Sequence, residues 1–248
     1  MIARLLASPT AAHVLPLVLF TLLNSVPGLF RIENSELPWH VRAPEHWVYP
    51  LQTVLCAMVL ILFRKHYTFK PWRGLGLAFA LGIVGILVWI APSLLRDSLI
   101  QNGHAPASWW DWLGLAERNE GFDPTIAKDS SWLFGAVVVM RFARMVLVVP
   151  FVEELFWRGF LMRFLLTEDG RFERVAFGTH RRKVFWIVTV AVMLIHNTED
   201  YVGAFVWGSL VYFLAVRSKS LGACVFMHAV GNLALGLYVM NTQQWGFW

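Results

Sequence analysis

Two adjacent carboxylates and an arginine stand within one of the most apolar parts of this chain. The stretch PFVEELFWRGF, residues 150–160, contains Glu153, Glu154 and Arg158. It directly follows LFGAVVVMRFARMVLVV, a run apolar enough to lie in lipid. An unpaired charge at the centre of a membrane-spanning helix costs about 3 kcal/mol or more. These side chains therefore form a structural ion pair or take part in chemistry.

Helical spacing divides the three charges into a pair and a single group. Glu154 and Arg158 are four residues apart with the glutamate first, which is the favourable order for an ion pair on one helical face. Glu153 is turned by about 100° from its neighbour and is left free to act as a base. The alternative is one salt bridge plus one interfacial glutamate. Pro150 lacks an N–H, so the sequence predicts a kink or a new helix start there.

Two further polar clusters interrupt later apolar runs. In VMLIHNTED, His196 closes an apolar run, and Glu199 and Asp200 are expected in a solvated turn. The alternative for His196 is an interfacial residue at a helix end. In VFMHAVGNLALG, His228 and Asn232 are four residues apart on one face in the middle of a span. Polar groups at such a depth indicate function, although hydrogen bonding between helices is an equally acceptable interpretation.

Together, the clusters supply a base, a proton shuttle and hydrogen-bond donors, which is what the attack of water on an amide requires. We expect His196 and His228 to be the partners of Glu153. The chain has no HExxH zinc motif and no GxSxG nucleophile motif. A dyad of Ser209 and His228 is a minor alternative, because the residues that flank the serine do not fit one. A zinc ion held by Glu153, His196 and His228 is a further alternative with a reasonable ligand set.

The composition is that of a membrane protein. Of 248 residues, 57% are hydrophobic and 15% are charged, whereas soluble domains carry about a quarter of charged residues. The net charge of +5 does not indicate a nucleic-acid partner, since Lys and Arg collect in the cytoplasmic loops of membrane proteins. Cys56 and Cys224 lie in apolar runs without zinc or redox spacing, so we expect two buried thiols and no disulfide.

Hydropathy predicts an all-α, polytopic transmembrane helical bundle of about seven or eight helices, built as one domain over residues 1–248. An eighth span results if residues 131–167 hold two. The first helix is expected to be retained, because its apolar run is too long for a cleavable signal peptide. The candidate spans are residues 11–30, 47–63, 74–95, 131–151, 184–197, 202–217 and 221–240.

The charge of the loops orients the bundle. Residues 64–73, 163–183 and 217–219 are rich in Arg and Lys, so they are expected in the cytoplasm together with the N-terminus. Residues 97–130 have few bases and are expected outside, with SWWDWLGL as an interfacial segment. Residues 197–200 are expected on the same side. The acidic residues of the outer loop are Asp97, Asp111, Glu117, Glu120, Asp123 and Asp129.

Three short motifs in residues 135–240 resemble those of the CPBP family, the CAAX proteases and bacteriocin-processing proteins of the membrane. The family motif EExxxR begins here at Glu153, FxxxH ends at His196, and HxxxN begins at His228. VEELFWRGFL and MHAVGNLALG are the most specific matches. The second motif departs from the family pattern, because Val192 stands where the family has phenylalanine. This departure concerns the packing around His196 more than its chemistry.

The resemblance implies a glutamate-type intramembrane endopeptidase that acts on a membrane-associated protein or peptide. Glu153, helped by His196, would activate a water molecule, and His228 and Asn232 would stabilise the oxyanion. The charged pair of the first motif would hold the site together. Neither a metal nor an organic cofactor would then be required. The predicted site residues are Glu153, Glu154, Arg158, His196, His228 and Asn232.

The resemblance also divides the chain and places it in a cell. Residues 1–130 would supply N-terminal helices and the outer loop, and residues 131–240 the catalytic core. NLALGLYVMNTQQWGFW and WRGFLMRFL resemble a bacterial subgroup of CAAX prenyl protease-related proteins that is associated with exosortase and C-terminal sorting. This implies a multi-pass protein surrounded by the lipid of the bacterial inner membrane. The alternative is a non-catalytic scaffold, a bacteriocin-immunity protein or a sorting component of the same fold.

Overall fold

The computed structural model describes residues 2–32, 34, 36–118 and 121–248, and the predicted loop residue Glu120 lies outside this part. The described residues form helices joined by turns, with no β-strand among them. The principal helices are α1 (Pro9–Asn24), α2 (Glu45–Leu62), α3 (Leu75–Gln101), α4 (Ser131–Phe164), α5 (Arg182–Leu194), α6 (Tyr201–Ser218) and α7 (Leu221–Thr242). The predicted all-α bundle is confirmed.

Six helices in the described part are long and apolar enough to cross a membrane. The segment predicted as a span at residues 184–197 forms α5, a helix of 13 residues that is not among these six. At 1.5 Å per residue it is about 20 Å long, shorter than a hydrocarbon core of about 30 Å. The alternative of two spans in residues 131–167 is wrong, because α4 is one continuous helix of 34 residues.

Helix α4 lies between the two parts of the bundle. On one side it packs against α1 and α2, around the buried side chains of Cys56, Val148 and Val152. On the other side it packs against α7, which joins α3, α5 and α6 in the main core. Cys56 and Cys224 are both buried free thiols, as predicted. Large apolar side chains such as Leu87 remain exposed on the surface of the bundle, where lipid would cover them.

Two wide turns interrupt the α-helical hydrogen bonding of α4. Ala143–Val148 and Leu155–Leu161 are π-helical, and Val149–Glu154 between them is α-helical. The predicted new helix start at Pro150 does not occur, because α4 continues through this residue. Single π-turns within α-helices are rare and are found frequently at functional sites. Here they flank the two adjacent glutamates.

The missing N–H of Pro150 leaves the carbonyl of Met145 to a partner on another helix. In the first π-turn the N–H of Val149 bonds to the oxygen of Arg144, five residues back. The same pattern would pair Met145 with Pro150, which has no N–H to donate. Asn232 of α7 fills this gap, since its Nδ2 donates to the Met145 oxygen at 2.6 Å. A proline in α4 thus helps to fix a candidate site residue on α7.

Glycines of α3 and α7 allow Trp207 of α6 to lie against His228. A Cβ added at Gly85 would fall 2.6 Å from the Trp207 ring, and one added at Gly231 would fall closer still. The indole meets the His228 imidazole edge to face, with 5.4 Å between the ring centres. We expect Gly231→Ala to lower the free energy of unfolding by about 1–3 kcal/mol, because the indole must shift within a packed core.

Thermal unfolding in detergent measures the effect of Gly231→Ala. Gly135→Ala on α4 is the matched control, because nothing lies within 4 Å of the Cβ added there. Equal melting temperatures for the two variants would contradict the close packing around Trp207.

Candidate functional site

A buried network centred on Glu154 joins α4 to α6 and α7. The Glu154 carboxylate has no exposed surface, and its Oε1 lies 2.9 Å from His228 Nδ1 and 3.3 Å from Arg158 Nη1. Arg158 is 1% exposed, and its Nη2 donates to the Gly208 carbonyl at 3.3 Å. The predicted ion pair between Glu154 and Arg158 is confirmed. One carboxylate therefore holds both an arginine of its own helix and a histidine of α7.

The contact with Glu154 orients the His228 ring. An ionised carboxylate only accepts hydrogen bonds, so Nδ1 carries the proton of the neutral ring and Nε2 is the basic nitrogen. Nε2 has no hydrogen bond to the described residues, and His228 lines a cavity. A carboxylate that fixes the tautomer of a histidine is the arrangement found in hydrolytic triads. The expected pairing of His228 with Glu153 is wrong at this point, because the neighbouring glutamate takes that position.

Glu153 borders two cavities that share much of their lining. The small cavity, of about 320 Å³, is lined by Glu153, His196, His228 and Asn232 among others. The large cavity, of about 1000 Å³, also includes Glu153 and His196 and extends past Arg141. The half-buried Glu153 carboxylate has neither a hydrogen bond nor an ion pair with the described residues. It is therefore a carboxylate without a fixed partner, as the helical spacing predicts.

His196 lies just beyond the end of α5. Its Nδ1 meets the Val192 carbonyl at 2.7 Å, and its ring meets Trp89 of α3 edge to face with 5.4 Å between centres. Val192 is buried and packs against Gly208 of α6. The interpretation of His196 as a helix-end residue is correct about its position. Because it also lines both cavities, it remains a candidate for chemistry.

An arginine from the loop between α3 and α4 holds the turn that follows His196. Arg118 Nη2 pairs with Asp200 Oδ1 at 2.6 Å, and the two side chains are 9% and 15% exposed. The same guanidinium donates to Ser93 Oγ and to the Glu199 carbonyl. The expectation that Asp200 is solvated is therefore wrong. A charge from the loop predicted to be acidic anchors the segment that carries His196.

Replacing Arg118 by glutamine is expected to cost about 2 kcal/mol of stability, because a largely buried, charged hydrogen bond to Asp200 is lost. It should also speed amide hydrogen exchange in residues 197–200, which the arginine holds in place. The matched control is Glu117→Gln, since the Glu117 side chain is 62% exposed. Unchanged exchange in the turn would contradict the anchoring role.

The geometry supports neither a serine–histidine dyad nor a preformed zinc site among the described residues. Ser209 Oγ donates to the Phe205 carbonyl at 2.8 Å, and no hydrogen bond joins this hydroxyl to His228 within the described residues. In the same part of the chain, no three His, Cys, Asp or Glu side chains are grouped closely enough to hold a metal ion. Glu153, His196 and His228 share a cavity, so a zinc site would require these three side chains to move together.

Two arginines at the cavities received no role from sequence patterning. Arg141 and Arg144 line both cavities together with Glu153. They stand in VVVMRFARMVLVV, a run that is otherwise apolar. Two cations within a span are as costly as the glutamates that follow them. This cost is the signal in the sequence that could have identified them.

Residues 135–234 match the family model described as type II CAAX prenyl endopeptidase Rce1-like. The matched segment begins in the first turns of α4, includes α5 and α6, and ends within α7. It contains all six predicted site residues. No curated protein and no solved structure shows a significant match to the chain. The family resemblance expected from the motifs is confirmed for this segment, and the exosortase-associated subgroup stays a prediction.

Proposed function

We propose that this protein, whose residues 135–234 match the Rce1-like model of type II CAAX prenyl endopeptidases, is an intramembrane endopeptidase. It would hydrolyse a peptide bond in a membrane-associated protein or peptide. The observation that carries the proposal is the position of Glu153, a carboxylate without a fixed partner in a cavity shared with His196, His228 and Asn232. A base beside proton carriers and an amide donor is suited to activating water.

In the proposed reaction, Glu153 takes a proton from water as the water oxygen attacks the carbonyl carbon. His196 would help to hold this water. The oxyanion would be met by the N–H of Asn232 that is not given to Met145, and by Nε2 of His228 when that nitrogen carries a proton. Glu153 then returns its proton to the leaving amine, and the peptide bond breaks.

Glu154 has a larger proposed role than holding the site together. At 2.9 Å from Nδ1, its carboxylate would fix the orientation of the His228 ring. Arg158 Nη1 donates to the same oxygen at 3.3 Å and helps to hold the carboxylate in position. The pair would thus hold His228 in place beside the proposed site of the oxyanion.

A non-catalytic scaffold, immunity or sorting protein of the same fold is the second candidate. The observation that favours it is that His228 and Asn232 both make hydrogen bonds between helices, to Glu154 and to the Met145 carbonyl. Such bonds are sufficient to explain polar residues in a bundle interior. Under this alternative, a substitution at Glu153 has no effect in the cell, because Glu153 holds nothing in place.

Comparison of membrane proteomes tests the proposed function and can supply the substrate. A strain lacking this protein is expected to accumulate an uncleaved precursor. Wild-type protein expressed from a plasmid should restore cleavage, whereas Glu153→Gln at equal abundance should not. Restoration by both proteins, or the absence of any precursor, would favour the non-catalytic alternative.

The proposed reaction uses no metal or organic cofactor. The zinc alternative at Glu153, His196 and His228 makes a different prediction. A chelator would then stop cleavage of the precursor, and added zinc would restore it. Cleavage at an unchanged rate in the presence of chelator supports the glutamate mechanism.

We further propose that the protein lies in the bacterial inner membrane with its N-terminus in the cytoplasm. The basic loops at residues 64–73 and 163–183 support this orientation. Reporter fusions after α2 and after α3 check it, since only the first is expected to place the reporter in the cytoplasm.

A further inference from the structure

Two buried arginines of α4 stand near Glu153 without a carboxylate partner. Arg141 and Arg144 are each 8% exposed, and neither forms an ion pair with a described residue. Arg144 donates to Gln52 Oε1 and to Asn24 Oδ1, each at 2.7 Å. These amide oxygens are neutral, so the positive charge of Arg144 is hydrogen-bonded but not balanced.

Arg141 has fewer hydrogen-bond partners than Arg144. Its guanidinium makes no hydrogen bond to the described residues, and its Nε is buried. Its carbon Cζ lies 4.9 Å from the Phe122 ring centre and 5.6 Å from that of Trp248. Arg144 lies in the same way 4.2 Å from the centre of Tyr49. Aromatic faces offset part of the cost of burying a cation, but a buried charge without a counter-ion remains unfavourable.

The other polar groups along the large cavity do not balance the positive charge of the two arginines. Trp157 Nε1 and Trp248 Nε1 are buried donors without a partner in the described part of the chain, and both residues line this cavity. Arg31 and Glu45 neutralise each other at 3.1 Å. Arg42 is an exposed cation of the lining. Glu45 is paired with Arg31, and Glu153 is the other carboxylate of the described lining, so cationic side chains outnumber carboxylates along this cavity.

We propose that Arg141 and Arg144 form a subsite that binds a carboxylate of the peptide substrate. This inference rests on the proposed function and deepens it, since it names a charge that the substrate must carry. Guanidinium groups match planar carboxylates with paired hydrogen bonds. The aromatic walls suit apolar side chains beside that carboxylate. The carboxylate belongs either to the C-terminus of the peptide or to an Asp or Glu side chain, which have the same chemistry.

The shared lining favours a peptide over a lipid headgroup. Both arginines line the same two cavities as Glu153. A group bound by Arg141 and Arg144 would therefore lie in the same cavities as the carboxylate proposed to activate water. A peptide substrate must bind next to that carboxylate to be cleaved, whereas binding of a phospholipid headgroup does not require this position.

Binding of peptide libraries tests the subsite without requiring cleavage. The full-length protein in phosphatidylcholine vesicles is exposed to short apolar peptides of mixed sequence, and retained peptides are identified by mass spectrometry. One library ends in a free acid, one in an amide, and one in an amide with an added internal glutamate. We expect about tenfold or greater retention of a carboxylate library over the plain amide library, which corresponds to about 1.4 kcal/mol. The preferred library identifies the source of the carboxylate.

Substitutions separate a subsite from a structural role. Arg141→Met and Arg144→Gln should each abolish the preference, while Arg182→Gln at the exposed start of α5 should retain it. Arg141→Met should not lower the melting temperature, because no hydrogen bond to the described residues is lost and an unbalanced charge is removed. A purely structural Arg141 would give the opposite pattern, with a lower melting temperature and an unchanged preference.

Several outcomes would overturn the subsite. Equal retention of acid and amide peptides would do so, as would no retention of any library. If added phosphatidylglycerol raises the melting temperature of the wild type but not of Arg141→Met, while the libraries stay equal, the arginines bind lipid headgroups instead. Acid-selective binding without cleavage of any precursor would support the subsite and contradict the proposed endopeptidase function. Cleavage of a precursor without a preference for acid peptides would support the endopeptidase function and contradict the subsite.

Discussion

Replacing Glu153 by glutamine is expected to lower kcat/KM for the natural precursor by about 10²–10⁴-fold, the usual contribution of a general base. Glutamine keeps the size of the side chain but cannot take a proton from water. Glu153 makes no hydrogen bond or ion pair within the described residues, so the free energy of unfolding should hardly change. A large loss of activity at unchanged stability distinguishes a catalytic carboxylate from a structural one.

Initial cleavage rates of the reconstituted protein, together with its melting temperature, measure the two effects of Glu153→Gln. Glu168→Gln is the matched control, because Glu168 is exposed in the loop after α4. Both rate and melting temperature should stay at the wild-type values in this control. A cleavage rate for Glu153→Gln close to that of the control would remove Glu153 from the mechanism.

Replacing Glu154 by alanine is expected to cost about 3–5 kcal/mol of stability and to abolish activity as well. The change leaves Arg158, at 1% exposure, as a buried charge without a carboxylate. It also removes the acceptor that lies 2.9 Å from His228 Nδ1. The double variant with Arg158→Met should recover part of the stability, because the unbalanced charge is gone. It should not recover activity, because His228 Nδ1 still has no carboxylate partner.

Chemical denaturation of the purified protein measures the loss for Glu154→Ala. Asp169→Ala is the matched control, since Asp169 pairs with Arg174 at 3.3 Å but the two side chains are 52% and 63% exposed. An exposed pair of this kind contributes less than about 1 kcal/mol. Equal losses of unfolding free energy in the two variants would show that the buried Glu154 network contributes no more stability than an exposed ion pair.

The sequence predicts most of the helices because an apolar run of sufficient length is a local property. The predicted segment at residues 184–197 is also helical, as α5, Arg182–Leu194. Hydropathy does not show that this helix is shorter than the six that are long enough to cross a membrane. The continuity of α4 through Pro150 is equally hidden from local patterns. It depends on a carbonyl whose partner, Asn232, lies on another helix.

The predictions for the site succeed where the chemistry is local and fail where packing decides. The ion pair of Glu154 and Arg158 follows from their spacing alone. The partner of His228 does not, because either of two adjacent glutamates could face α7. The pairing of Arg118 with Asp200 joins two stretches that are each typical of a polar loop. No pattern within either stretch indicates the other.

The most direct test of the proposed mechanism is cleavage of the accumulated precursor by the purified protein in vesicles, carried out in water enriched in heavy oxygen. The wild type should release a fragment whose new C-terminal carboxylate carries the heavy isotope. Glu153→Gln, folded to the same extent, should release almost none. No cleavage by the wild type, or equal labelled product from both proteins, would contradict the claim that Glu153 activates water to hydrolyse a peptide bond.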